Sequence, residues 1–97
     1  MRLSREDPCR VDVWLWRARF FKSRSQASRF VEEGRVRLVR GPEQTRLDKA
    51  SRTVRPGDGL VLALNGRLIA IKVEASGERR GPSEEARTLY SELGAPG

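Results

Sequence analysis

Residues 10–38 read RVDVWLWRARFFKSRSQASRFVEEGRVRL, and this stretch decides the fold. Its first part has apolar residues at the i, i+3, i+4 and i+7 positions of one helical face: Val11, Trp14, Leu15 and Ala18. That spacing predicts a first helix that runs to about Phe20. Asp12 is favourable in the positive first turn of this helix, and Arg19 would lie above Asp12 and could pair with it.

Two aromatic residues, Trp16 and Phe20, lie off the apolar face of this predicted helix. They can stack on nucleic-acid bases, or they can pack against a sheet or the C-terminal segment. We favour packing, because large aromatic side chains contribute mostly to cores.

A second helix is predicted to start at Ser23-Arg-Ser-Gln26, which is a capping box. Its buried face would hold Ala27, Phe30 and Val31, and Gly34 supplies the left-handed residue that ends it. Lys22, Arg24 and Ser25 would therefore cluster at a helix N-terminus, where free N–H groups and the helix dipole favour an anion. We expect a phosphate there; the alternative is that the serines only cap and the cations are solvated.

The chain then changes to the period of two that indicates strands. Arg35 and Arg37 fall on one face of the first strand, and Val36 and Leu38 on the other. Residues 41–52 have the composition of a loop, and residues 56–59 that of a turn. Strands at 60–64 and 69–73 flank Asn65-Gly66, the pair preferred in two-residue hairpins.

Ser83 would cap a short C-terminal helix carrying Ala86, Leu89, Tyr90 and Leu93. The predicted fold is α+β, with two N-terminal helices on a small, mostly antiparallel sheet.

The charge is concentrated in one part of the chain. Residues 1–60 hold 15 basic and 8 acidic residues, whereas residues 61–97 hold five of each. Arginine outnumbers lysine 17 to 3, and its planar fork suits phosphates and stacking. The asymmetry favours a polyanionic partner, although a generic solvated basic surface is the alternative.

Several functional classes are excluded or disfavoured by composition. The 97 residues contain no histidine and one cysteine, Cys9, so the usual acids, bases, nucleophiles and metal ligands are missing. The Asp and Glu residues form no carboxylate cluster at a useful spacing either. We therefore expect no catalytic residue, no metal and no cofactor, and we take Cys9 to be an inert thiol. No apolar run is long enough for a membrane span, and no signal peptide is visible. The expected location is the cytoplasm, whose reducing conditions suit an unpaired cysteine.

A resemblance to a known family becomes clear from the ordered set of motifs: Arg10-Val-Asp12, Lys22-Ser-Arg-Ser-Gln-Ala27, Gly34-Arg-Val36 and Val54-Arg-Pro-Gly-Asp58. This set resembles the S4 RNA-binding domain over residues 10 to about 74. Residues 14–22 (WLWRARFFK) and 78–90 (ERRGPSEEARTLY) further resemble the small ribosome-associated heat-shock proteins of bacteria. A similarly short S4 family, which assists the tailing of stalled chains on the large subunit, is a close alternative. The expected organisation is a flexible arm at 1–9, an S4-like domain at 10–76 and a C-terminal extension at 77–97.

The resemblance implies an S4-like (alpha-L) fold and binding of structured RNA without catalysis. The implied partner is ribosomal RNA of the large subunit carrying stalled peptidyl-tRNA, in ribosome rescue or quality control, with no membrane involved. The implied RNA-binding residues lie at helix ends and on the adjoining strand: Arg10, Lys22, Ser23, Arg24, Ser25, Arg29, Arg35 and Arg37. Charge alone adds Arg17, Lys49 and Arg55 as weaker candidates.

A DNA-binding helix-turn-helix is the competing interpretation, because two short helices meet near Phe21-Lys-Ser23. The second helix would then enter a major groove. Glu32 and Glu33 close that helix, and its positive charge lies at its start. This distribution makes DNA the less expected partner.

Overall fold

The computed structural model describes residues 8–93. Within them lie the helices α1 (Val11–Arg17), α2 (Arg24–Glu32) and α3 (Ser83–Ala86), the last continued by a 3-10 helix at Arg87–Leu89. The strands are β1 (Cys9–Arg10), β2 (Val36–Arg40), β3 (Glu43–Leu47), β4 (Thr53–Val54), β5 (Gly59–Leu64), β6 (Arg67–Val73) and β7 (Tyr90–Glu92). The predicted α+β class is confirmed. Residues 1–7 of the predicted arm lie outside the described residues, and Cys9 is paired in β1.

The sheet has the order β3-β2-β5-β6-β7, and a separate two-stranded pair joins β1 to β4. Every neighbouring pair is antiparallel. The core lies between the two N-terminal helices and one face of the sheet, and its largest fully buried side chains include Trp14, Leu15, Leu60, Leu62 and Ile71. One face of the sheet is therefore covered, and the other is free to carry polar residues.

Helix α1 ends at Arg17, so the prediction that it continues to about Phe20 is wrong. Arg19 has a φ of 66°, and its N–H donates to the Trp16 carbonyl while the Phe20 N–H donates to the Leu15 carbonyl. These two bonds form a Schellman motif, with an arginine where glycine is usual. The predicted Arg19–Asp12 pair is also wrong, because the turn directs Nε of Arg19 to the Gly81 carbonyl, 2.7 Å away.

Helix α2 begins and ends as predicted. The Ser23 hydroxyl accepts from the Gln26 N–H at 3.1 Å, and Gln26 Oε1 accepts from the Lys22 N–H at 3.3 Å. Ala27, Phe30 and Val31 are buried, and Gly34 has a φ of 77°. The short-range signals of a capping box and a C-terminal glycine therefore fix both ends of this helix.

Residues 43–47 form strand β3, which corrects the prediction of a loop over 41–52. The strand pairs with β2 from Val36↔Leu47 to Arg40↔Glu43, and all its residues except Leu47 are exposed. An edge strand that buries a single side chain shows no apolar alternation, so its sequence looks like a loop.

The hairpin between β5 and β6 is confirmed. Asn65 and Gly66 have φ values of 52° and 76°, as a type I′ turn requires at both central positions.

The C-terminal segment departs from its prediction. Its helix α3 ends at Ala86 with Pro82, not Ser83, at the N-cap, and Tyr90 begins strand β7 instead of continuing a helix. The Tyr90 ring lies 4.9 Å from the Phe20 ring and 6.5 Å from the Trp14 ring, centroid to centroid. Aromatic packing against α1 and pairing with β6 thus override the helical spacing of Leu89, Tyr90 and Leu93.

Arginines hold the N-terminal helix region to the C-terminal segment. Arg17 donates to the carbonyls of Ser76 and Gly77, and Arg80 donates to those of Trp16 and Phe21. The Arg80 guanidinium also lies 5.8 Å from the Trp16 ring centroid. Trp16 and Phe20 therefore pack against the rest of the molecule, as predicted. We refer to Arg17, Arg19 and Arg80 together as the arginine clasp.

Candidate nucleic-acid interface

The start of α2 brings together the first group of predicted site residues. The capping bonds of Ser23 and Gln26 fix the first turn, and Lys22, Arg24 and Ser25 are exposed around it. Among the described residues, neither Lys22 nor Arg24 has a side-chain ion pair. Two free cations therefore stand at the positive end of a nine-residue helix, an arrangement that attracts an anion.

Arg10 is held beside α2 by a buried carboxylate. Asp12, only 2% exposed, accepts from Arg10 at 3.0 and 2.9 Å and from the Ser28 hydroxyl at 2.7 Å. Burial by itself raises the pKa of Asp12, but these hydrogen bonds, the one from the Val13 N–H and the Arg10 charge lower it below the ordinary value. Asp12 thus stays ionised and connects Arg10 to α2.

A second group of cations follows the end of α2. Arg29 is exposed on the helix, and Arg35 and Arg37 are exposed on and beside β2 while Val36 and Leu38 are buried, as predicted. The Arg35 guanidinium lies 5.8 Å from the Phe30 ring centroid and 3.2 Å from a Glu33 carboxylate oxygen. Arg35 is therefore partly neutralised, whereas Arg37 has no ion pair among residues 8–93.

Arg46 is a candidate that sequence reasoning missed. It lies directly opposite Arg37 across β2 and β3 and is exposed. A Cβ at Gly34 would come within 3.3 Å of the Arg46 Nε atom, so the Arg46 side chain lies over the end of α2. The sequence does not reveal Arg46, because residues 43–47 have the composition of a loop and only the pairing of Val36 with Leu47 places Arg46 opposite Arg37.

The weaker candidates lie in three different environments. Arg17 belongs to the arginine clasp, and its donors point at backbone carbonyls. Lys49 is exposed in the loop that meets the start of α1, where the Ala50 carbonyl accepts from the Asp12 N–H. Arg55 is exposed beside Asp58, a buried carboxylate that accepts from Arg40 at 3.0 and 2.8 Å and from the Arg55 N–H at 3.0 Å. The structure brings Arg10 and α2 together, whereas the Arg17 guanidinium is occupied by the Ser76 and Gly77 carbonyls and the Cys9 sulfur.

The possible metal ligands and the Cys9 thiol are the groups that concern metal binding and catalysis. Within residues 8–93, no group of three or more potential metal-ligating His, Cys, Asp or Glu residues occurs. Burial raises the pKa of the Cys9 thiol, and the charges of Arg17 and Arg24 only partly oppose this. A buried thiol with a raised pKa is a poor nucleophile.

No helix in the described part of the chain is both long and apolar enough to cross a membrane.

Comparison with known proteins is consistent with this arrangement. The S4 domain family model matches residues 9–38. A heat shock protein 15 homolog of Haemophilus influenzae is 36% identical over 87 residues, covering 90% of this chain and 63% of that protein. Heat shock protein 15 of Escherichia coli is 35% identical over 83 residues, covering 86% of this chain and 59% of that protein. The chain thus spans about three fifths of the length of these relatives.

A solved structure extends the likeness to three dimensions. The trimeric structure of Vibrio cholerae heat shock protein 15 superposes with a TM-score of 0.78 and 33% identity. The match covers 90% of this chain and 83% of that one. The S4-like architecture expected from the sequence is therefore confirmed.

Proposed function

Because this chain belongs to the heat shock protein 15 family of S4-domain proteins, we propose that it binds structured RNA without catalysis. The observation that carries the proposal is the set of exposed cations at α2 and β2, of which Lys22, Arg24, Arg29 and Arg37 have no ion pair among residues 8–93. The proposed contacts are Arg10, Lys22, Ser23, Arg24, Ser25, Arg29, Arg35 and Arg37, with Lys49 and Arg55 at the margin.

The geometry suits RNA backbone better than base edges. Side chains cannot read the deep, narrow major groove of A-form RNA, so folded RNA is recognised mainly by shape and phosphates. The α2 N-terminus, the Asp12-held Arg10 and the β2 arginines offer separate points for such phosphates. Sequence specificity should accordingly be modest.

The more specific part of the proposal concerns the partner. We infer that the RNA is ribosomal RNA of the large subunit, carrying peptidyl-tRNA on a stalled chain, in ribosome rescue or quality control. The likeness to heat shock protein 15 and the basic surface support this choice. A cytoplasmic location follows from it, and it agrees with the free Cys9.

Arg24→Ala tests the proposed contact surface. Arg24 is exposed and makes no ion pair among the described residues, so its loss should leave the fold intact. Affinity for a structured ribosomal RNA fragment should fall by roughly 1–3 kcal/mol, a range taken from specific DNA contacts. If about six phosphates are engaged, the slope of log K against log salt should be near −4 to −5. Fluorescence anisotropy over a salt series measures both quantities.

Arg87→Ala is the matched control, because Arg87 is also exposed but lies in the C-terminal segment. It removes the same charge away from the proposed surface and should change affinity little. Equal losses in the two variants, or a slope near zero, would reject the α2 surface as the site. Tighter binding to duplex DNA than to the RNA would favour the helix-turn-helix alternative.

A further inference from the structure

The outer face of the sheet carries a second arrangement that the phosphate contacts do not explain. Strand register places Arg46, Arg37, Val61 and Ala70 in one row across β3, β2, β5 and β6. The next row contains Ala63 and Leu68, and Leu68 is 56% exposed. This face therefore presents an apolar strip with arginines along one side.

The arginines on this face repel one another in the free protein. Arg37 and Arg46 are directly opposite on neighbouring antiparallel strands, a position in which like charges destabilise the sheet. No carboxylate forms an ion pair with either of them among residues 8–93. An anion bound at this face would relieve the repulsion, so charge complementarity favours a phosphate-bearing occupant.

Beside these arginines lies an open depression of about 400 Å³, a size within the range of small-molecule sites. Its lining combines backbone, apolar and polar groups: Gly34, Arg35, Arg37, Gln44, Val61, Ala63 and Leu68. The apolar side chains offer contact to a ring face, and guanidinium planes stack on bases. The Gln44 amide can both donate to and accept from a base edge.

The depression lies within reach of the proposed phosphate surface. It begins at Gly34, directly after α2, whose eight intervals from Arg24 to Glu32 span about 12 Å. Arg29 is exposed on the helix between the two ends. A strand of RNA that places one phosphate at Arg24 would need to run about this length of α2 to reach Gly34, at the edge of the depression.

We propose that this depression holds one unpaired nucleotide of the bound RNA, with its base against Val61, Ala63 and Leu68 and its phosphate between Arg37 and Arg46. The proposal rests on the proposed RNA-binding function and deepens it. It makes the bound RNA a helix interrupted by a bulge or adjoining a loop, since unpaired bases are the ones that can be splayed out.

Two RNA stems that differ in one nucleotide test the proposal. One stem is fully paired, and the other carries a single bulged 2-aminopurine, whose fluorescence reports the surroundings of its base. The wild-type protein should prefer the bulged stem by about tenfold, equal to about 1.4 kcal/mol, and should change the 2-aminopurine emission. Leu68→Ser should reduce the preference to about twofold or less while leaving the paired-stem affinity unchanged, because no charge is lost.

Charge variants complete the design. Arg46→Ala should weaken both complexes and weaken the bulged one more, whereas Arg87→Ala should keep the preference. If the wild-type protein binds both stems equally and with a steep salt dependence, the inference is overturned and the proposed function stands. If it binds neither stem, the proposed function itself fails. A change in oligomeric state in Leu68→Ser, with the preference intact, would make this face a contact between copies of the chain and would also overturn the inference.

Discussion

Asp12 is a buried residue that holds a proposed RNA contact in place. Its carboxylate joins Arg10 to Ser28 of α2, so it fixes the position of a proposed RNA contact without being exposed itself. Asp58 has a similar structural role elsewhere, because its carboxylate accepts hydrogen bonds from the Arg40 side chain and from the Arg55 N–H. The effects of substituting Asp12 and Asp58 can therefore be compared directly.

Asp12→Asn should destabilise the protein by about 1–3 kcal/mol, because an amide cannot accept all the bonds that the carboxylate accepts. It should also weaken RNA binding, since Arg10 loses its anchor. Asp58→Asn should destabilise the protein by a similar amount but should leave RNA affinity closer to that of the wild-type protein. Urea unfolding and RNA titration of both variants measure the two effects, and identical RNA affinities for the two would contradict a positioning role for Asp12.

The pH dependence of stability provides a second readout of the same residue. Although burial raises the pKa of each carboxyl, hydrogen bonds and arginine charge leave the pKa of Asp12 and of Asp58 lowered in the folded protein. A lowered pKa contributes stability that is present above the unfolded value of about 3.9 and is lost as the pH falls through the folded value. Urea midpoints should therefore decline below about pH 4, and they should decline less in Asp12→Asn, which lacks one of the two groups.

Structural roles that depend only on nearby residues can be predicted from the sequence. Ser23, Gln26 and Gly34 act through atoms a few positions away, so their capping roles could be predicted. Arg46 and Arg19 could not be found in this way. The position of Arg46 depends on a cross-strand partner, and the left-handed turn at Arg19 has no glycine to mark it.

At the scale of elements, the junction between α2 and β2 connects the two basic groups. Gly34 turns the chain with a φ of 77°, and the absence of its side chain makes room for Arg46. The turn between β5 and β6 uses Gly66 at a φ of 76°, with no atom within 4 Å of a Cβ placed there. The two glycines share a backbone conformation and differ in their neighbours.

Gly34→Ala and Gly66→Ala should each cost roughly 1–2 kcal/mol of stability, because an alanine in the left-handed region is strained. Only Gly34→Ala should also weaken RNA binding, since its methyl group would displace the Arg46 side chain. Thermal unfolding and RNA anisotropy separate the two effects. Unchanged RNA affinity in Gly34→Ala would remove Arg46 from the binding surface.

Elements stabilised by distant partners were the ones that the sequence did not reveal. Helices α1 and α2 and the β5–β6 hairpin follow their own periodicity, so they were predicted apart from the end of α1. Strand β3 buries a single residue, Leu47, and β7 follows from pairing with β6 and from aromatic contacts of Tyr90. Local spacing cannot show either of these tertiary causes.

In the molecule as a whole, the arginines fall into two groups with different roles. The clasp arginines donate to backbone carbonyls. Lys22, Arg24, Arg29 and Arg37, at α2 and on β2, are exposed and have no ion pair among residues 8–93. The excess positive charge of the chain is therefore available to a large polyanion. This distribution is compatible with the large polyanionic partner proposed above.

We expect the protein to sediment with large ribosomal subunits, preferentially those that hold peptidyl-tRNA. A gradient at physiological salt, run with and without release of the nascent chain by puromycin, tests both points. Puromycin should reduce the bound fraction, and Arg24→Ala should reduce it further, whereas Arg87→Ala should not. Exclusive migration with small subunits would reject the proposed partner, and unchanged binding after release would reject dependence on a stalled chain.

The arginine clasp also bears on the order in which the chain can fold. Its hydrogen bonds, together with that from Trp14 to the Ala75 carbonyl, join residues about 60 positions apart in sequence. Such distant contacts carry a large loop-closure entropy, and a topology rich in them folds more slowly than a helical bundle. We therefore expect the β5–β6 hairpin, closed by two residues, to form early and the clasp to be among the last parts to form.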